Sequence, residues 1–270
     1  MRYFLSVLFI LLSASVSFTQ PTFTGVNNSS LSATQFSTEI NGAQGIAENP
    51  AVLGFYHATN LWYNTLITDG EFSEQNFYVQ SPFLFMSFGA NFRSALDDEK
   101  KKSAHLYGFG FGAGSDKFAL GYNTDYFVYE DKEATLQNFG CIYRPQHFLS
   151  FAYVLKNFNE PDKLFPSTQT FGIGFSPSPF PATVFLDWSG KRNSPIEQYS
   201  LQSGVKIRAT KSLTCLFAYH EKYNASSSLL VIGIQFSFPN SSLHTALISE
   251  SNAQPELSFG VQLKSDDERD

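Results

Sequence analysis

Charge is what this sequence has least of. Asp, Glu, Lys and Arg together make up 16% of its 270 residues, where an average soluble domain carries about 25%. The formal net charge is −6, and no basic stripe is available to neutralise phosphates, which argues against a nucleic-acid partner. Beyond the first twenty positions no apolar run approaches the roughly 20 residues that a membrane-crossing helix needs. The two cysteines, Cys141 and Cys215, lie far apart with no CxxC or metal-ligand spacing. They read either as one disulfide or, preferably, as two unpaired small side chains on the apolar side of strands. No HExxH, P-loop, GxSxG or EF-hand pattern occurs, so neither an enzyme nor a cofactor is expected. The histidines (57, 105, 147, 220 and 244) are dispersed and suggest no metal site.

What the chain does have is aromatics, 29 Phe and 13 Tyr, and 18 Gly. They fall into segments of period two, the signature of strands with two unlike faces. Tyr107, Phe109, Phe111 and Ala113 oppose Leu106, Gly108, Gly110 and Gly112. Leu230, Ile232, Ile234, Phe236 and Phe238 form one stripe, and Leu257, Phe259, Val261 and Leu263 oppose Glu256, Ser258, Gly260, Gln262 and Lys264. The glycines of 108–114 keep this alternation and lack a following Lys-Ser/Thr, so they belong to a strand and not to a phosphate loop. A soluble sandwich would carry charge on its second face. Here that face is Gly, Ser, Thr, Asn and Gln, which suits a lumen, with the apolar stripe turned to lipid.

The expected fold is all-β, an up-and-down antiparallel transmembrane barrel of about fourteen strands with a short N-terminal plug-like segment. Strands are expected near 57–66, 74–81, 83–93, 105–114, 117–129, 135–143 and 147–156. The second half gives 169–176, 182–189, 198–209, 211–220, 228–238, 242–248 and 255–264. Longer polar connections (68–74, 94–104, 156–167, 190–198, 221–227 and 250–254) are expected to alternate with tight turns (81–82, 115–116, 144–146, 176–181, 210–211 and 239–241). An even strand count beginning and ending on long connections puts both termini on the periplasmic side. Trp62 and Trp188 are expected in interfacial aromatic girdles. Lys100, Lys101 and Lys102 read as a solvated loop.

Residues 1–20 have the lone basic residue, short apolar core and small-residue end of a secretory signal peptide, cleaved between Ser15 and Gln20. The mature chain then divides into an N-terminal segment (21–56), the barrel (57–264) and an acidic periplasmic tail (265–270). In 21–56 the alternation is missing. Pro50 marks a turn or helix start after Asn49, with Ala51, Leu53 and Phe55 packing beneath the barrel.

The stretch Gly-Ile-Ala-Glu-Asn49-Pro50-Ala51-Val-Leu53-Gly-Phe resembles the Asn-Pro-Ala element that precedes the first strand of FadL-like barrels. That group includes long-chain fatty-acid transporters and PorV-type proteins associated with secretion machinery. Signal peptide, Asn-Pro-Ala element and fourteen strands follow in the same order here. The resemblance implies a bacterial outer-membrane location, with lipid as one partner. The usual Asn-Pro-Ala-Gly-Leu is Asn-Pro-Ala-Val-Leu in this chain, and the end is an acidic run instead of the aromatic residue the family uses as an assembly signal.

Five charges, Asp125, Asp187, Lys206, Arg208 and Glu256, fall on the polar face. They either pair with one another and with the N-terminal segment or line a passage. Two functions follow: a scaffold or docking barrel for a periplasmic or secreted protein partner, or a conduit for small hydrophobic molecules such as fatty acids. A secreted soluble sandwich is the third reading, opposed by the uncharged second face.

Overall fold

In the computed structural model, which describes residues 35–39, 43–55, 58–97, 102–161, 165–177, 179–221, 228–251 and 255–265, the chain is a closed barrel of fourteen antiparallel strands. The expected signal peptide, Lys100, Lys101 and nearly all of the acidic tail lie outside the described residues.

The first seven strands are β1 (Asn60–Thr68), β2 (Glu71–Phe83), β3 (Met86–Asp97), β4 (Lys102–Gly114), β5 (Phe118–Tyr129), β6 (Lys132–Gln146) and β7 (Leu149–Lys156). The rest are β8 (Thr168–Phe175), β9 (Ala182–Lys191), β10 (Ser200–Arg208), β11 (Leu213–Glu221), β12 (Ser228–Phe238), β13 (Ser241–Glu250) and β14 (Glu256–Lys264). Every strand pairs with its sequence neighbour, and β1 closes on β14 in a register running from Asn60 opposite Lys264 to Ile67 opposite Leu257. Closure matters physically because a sheet edge left in hydrocarbon would expose unpaired N–H and C=O groups, each costing several kcal/mol. Pro145, which cannot donate to the ladder, sits where the β6–β7 register shifts between Tyr143 and Gln146.

The alternating faces take the sides expected of them. Phe77, Tyr107, Phe109, Phe171, Ile232 and Phe259 point outward and are exposed. Exposed aromatic and aliphatic side chains on strand after strand are not what a water-soluble monomer shows, so the belt is a lipid-facing one. Cys141 and Cys215 are free and share this outward phase, half-buried on β6 and β11.

Two expectations about the barrel wall fail. The alternation of long and tight connections holds only in the second half of the barrel. The stretch 68–74, expected to be a long loop, is closed by Asp69 and Gly70 alone, with φ of 53° and 83°. Positive φ at both central residues is the hairpin geometry that matches strand twist, so Glu71 and Phe72 pair with β1 instead of looping, and Ser73 sits at a bulge in the same strand. Similarly, Lys102 is not in a solvated loop but opens β4, where it pairs with Glu130 at 3.0 Å. The second failure is Trp62, which points into the lumen, 4% exposed, against the ring of His244 at 4.3 Å. Its neighbours Asn60 and Asn64 share the inward phase; the indole follows the pleat and not the aromatic composition of the girdle. Trp188 keeps the outward phase, opposite Phe171.

Candidate functional site: the plugged lumen and its vestibule

The N-terminal segment does not pack beneath the barrel; it lies inside it. A single helical turn, α1 (Gly45–Glu48), leads into a 3₁₀ turn over Pro50–Gly54, and the residues from Ala43 to Gly54 other than Glu48 are buried. Asn49 is the pivot. Its side-chain oxygen accepts from the Ala51 N–H at 3.1 Å, capping the 3₁₀ turn, while its amide donates to the Ser37 carbonyl at 2.7 Å. Pro50 has no N–H to leave orphaned at that first position. The Asn-Pro-Ala element is therefore a self-capped turn that fastens two stretches of the plug to each other.

The glycine-rich inner face is the bed for this turn. A Cβ at Gly112 would stand 2.7 Å from both the Leu53 Cβ and the Gly54 nitrogen. At Gly121 it would strike the Pro50 carbonyl, and at Gly140 the Asn49 side-chain oxygen. Above this bed Ile46 and Leu53 pack with Trp62 and Tyr78, and Ala51 and Val52 pack with Ala119, Ile142 and Ala152. Farther along, Phe36 stacks on Phe185 at 4.7 Å.

Polar contacts fasten the plug to the wall. Asp187 accepts from the Ser37 N–H at 2.7 Å and from the Ser37 hydroxyl at 2.8 Å. Lys206 pairs with Glu39, and Lys156 with Glu48 at 2.9 Å. Among the described residues Asp125 makes no hydrogen bond to the plug. It is the centre of a buried hub on the wall itself, accepting from Arg93 at 3.2 Å, Asn123 at 3.1 Å, Asn138 at 3.1 Å and Asn91 at 3.4 Å. Glu256 lies near the opposite end of the lumen, half-buried, and accepts from the Thr68 hydroxyl at 3.3 Å. Arg208 is exposed at the mouth formed by the tight turns. The five inward charges are thus not one cluster. Lys156, Arg93, Ser37, Glu39 and Glu48 escaped the sequence reading; Arg93 was visible only as the continuation of the Ser87–Gly89–Asn91 face, and the plug residues carry no periodic signal.

The lumen is unequal at its two ends. On the long-connection side it is packed by two apolar clusters, one including Leu66, Leu229, Val231 and Ile248, the other including Leu106, Phe127, Leu136 and Phe165. At the tight-turn mouth a vestibule of about 1130 Å³ remains, lined by Arg144, His147, Lys206, Arg208, Lys211 and Lys264 together with Glu39 and Asp116. A smaller cavity of about 60 Å³ lies deeper, against Trp62, His244 and Ser258, and shares Lys206, Thr214 and Gln235 with the vestibule. By volume it has room for about four waters.

The chain matches no protein-family model and no curated protein. Among solved structures it is similar to the toluene transporter TbuX of Ralstonia pickettii, with a TM-score of 0.61 and 11% identity over 86% of this chain and 96% of that one. It is also similar to the outer membrane protein Omp33 of Acinetobacter baumannii, with a TM-score of 0.55 and 7% identity over 78% of this chain and 100% of that one. At such identities the likeness is one of fold.

Proposed function

We propose that this chain is a bacterial outer-membrane barrel, both termini periplasmic, whose lumen is closed by its own N-terminal segment and which serves as a docking barrel for a periplasmic or secreted protein. The observation that carries the reading is the plug itself. It is held by a self-capped turn, a glycine bed and contacts from Ser37, Glu39 and Glu48 to three wall residues. Both ion pairs are only partly exposed, and removing one partner of either would leave a partly desolvated charge without its counter-ion. A passive pore has no use for so firm a seal, whereas a barrel that only presents its periplasmic mouth loses nothing by it. The lipid-facing belt and the signal-peptide-like start support the location.

A second reading is favoured by the deeper cavity beside the plug and by the fold shared with a toluene transporter: a conduit for small hydrophobic molecules that opens when the plug shifts. The two readings part in one experiment. The outer membrane is isolated, the protein run on a gel with and without boiling, and the purified barrel placed in a planar bilayer. Recovery in that membrane, faster migration unboiled, and no conductance are expected of the docking barrel. Conductance, whether steady or in bursts as the plug shifts, would favour the conduit, and recovery in a soluble fraction would overturn both.

A further inference from the structure

The vestibule has a charge that the rest of the molecule does not. The chain as a whole is net acidic, yet this one cavity collects Arg144, Lys206, Arg208, Lys211 and Lys264 against Glu39 and Asp116. Glu39 is already engaged by Lys206. Among the described residues, Arg144, Arg208, Lys211 and Lys264 have no ion-pair partner. Four cations around one cavity without an acidic partner repel one another, least where they are exposed, and an anion that enters relieves the repulsion.

The shape of the site narrows the anion. The cations do not converge: Arg144 is on β6, Arg208 on β10, Lys211 in the turn after it and Lys264 at the end of β14. A phosphate or a single carboxylate needs donors aimed at one point. The volume, about 1130 Å³, also exceeds the usual range for small-ligand pockets of roughly 300–1,000 Å³. Phe55, Phe148 and Phe180 line the same cavity, and the Arg144 guanidinium lies 5.8 Å from the centre of the Phe55 ring. Spaced cations and aromatic rings lining one cavity fit an extended chain that carries both acidic and apolar side chains.

We infer that the vestibule is a binding site for an acidic, aromatic-containing peptide segment of a periplasmic partner, gripped by Arg144, Arg208, Lys211 and Lys264. The inference rests on the docking reading and gives its partner a chemistry. Arg208 and Lys211 are exposed at the rim, so reversing them removes none of the hydrogen bonds or ion pairs that hold the plug.

The test uses the whole barrel in zwitterionic detergent and a fluorescein-labelled peptide of about ten alternating Glu and Phe residues, read by fluorescence anisotropy. Saturable binding is expected, weakened about tenfold or more by Arg208→Glu with Lys211→Glu, and likewise by replacing every Glu of the peptide with Gln. Added salt should weaken it too. Lys102→Glu, at the opposite mouth, should leave it unchanged. Equal binding of the Glu and Gln peptides, or equal binding by the wild-type and doubly reversed barrels, would overturn the proposal. So would saturation of the site by citrate or inorganic phosphate at the peptide's own concentration, which would make it a small-anion site. A barrel that remains non-conducting but ignores the peptide sinks this site and leaves docking standing; a conducting barrel that still binds the peptide does the reverse.

Discussion

The side-chain amide of Asn49 donates to the Ser37 carbonyl across 2.7 Å of barrel interior, while its oxygen caps the turn that begins at Pro50. One residue thus holds together two pieces of plug that are twelve positions apart in sequence. Asn49→Ala removes the cap, about 1 kcal/mol, and strands a buried carbonyl, about 1–3 kcal/mol more. Because the strand ladder is untouched, the expected result is selective. The heat-modifiable band survives and the plug becomes sensitive to added protease. Loss of the barrel band itself would mean that the plug is required for closure.

The glycine bed gives a sharper contrast. Gly121→Val and Gly140→Val place a side chain where Pro50 and Asn49 now lie; both variants should expel the plug and raise single-channel conductance above wild type. At Gly233 the nearest contact of an added Cβ is the Leu216 Cβ at 3.3 Å, away from the plug. Gly233→Ala should conduct no more than wild type. If all three behave alike, the glycines serve the strands and not the plug.

Asp125 and Arg93 form the best-buried ion pair of the wall, with side chains 2% and 6% exposed. Asp125→Ala should cost about 3–5 kcal/mol, measured by urea titration of the folded gel band. Asp125→Leu combined with Arg93→Met should recover only the ion-pair share of it, since both charges leave together while Asn91, Asn123 and Asn138 still lose their acceptor. A double variant as weak as the sum of the singles would show that the two do not act as a pair.

The two tryptophans report the faces directly. Trp188 has the lipid-facing phase on β9, and Trp62 is shut in the lumen beside His244. In liposomes containing brominated lipid, Trp62→Phe, which leaves Trp188, should be strongly quenched. Trp188→Phe, which leaves Trp62, should hardly respond. Equal quenching would contradict the inward placement of Trp62.

The barrel was legible because a strand in lipid has to satisfy two solvents at once. The alternation at 106–113, 230–238 and 257–263 records that requirement residue by residue, and each of the fourteen expected strands overlaps an observed one. The inward phase of Asp125, Asp187, Lys206 and Glu256 follows from the same parity. The turn at Asp69–Gly70 was also written in the sequence, as an Asp-Gly pair, but the polar residues after it were read as loop when they extend the hairpin.

What parity cannot say is which inward residues meet. Local pattern in the chain determined the strands, their faces and their order, because each depends on neighbours within a few positions. Tertiary structure alone decided that Gly121 and Gly140 clear a path for Pro50 and Asn49, that Asp187 meets Ser37, and that Arg144, Arg208, Lys211 and Lys264 gather around one vestibule. The plug contacts join segments separated by about 70 to 150 positions, and they exist only because closing fourteen strands into a ring fixes where each inward side chain stands relative to a plug that has no period of its own.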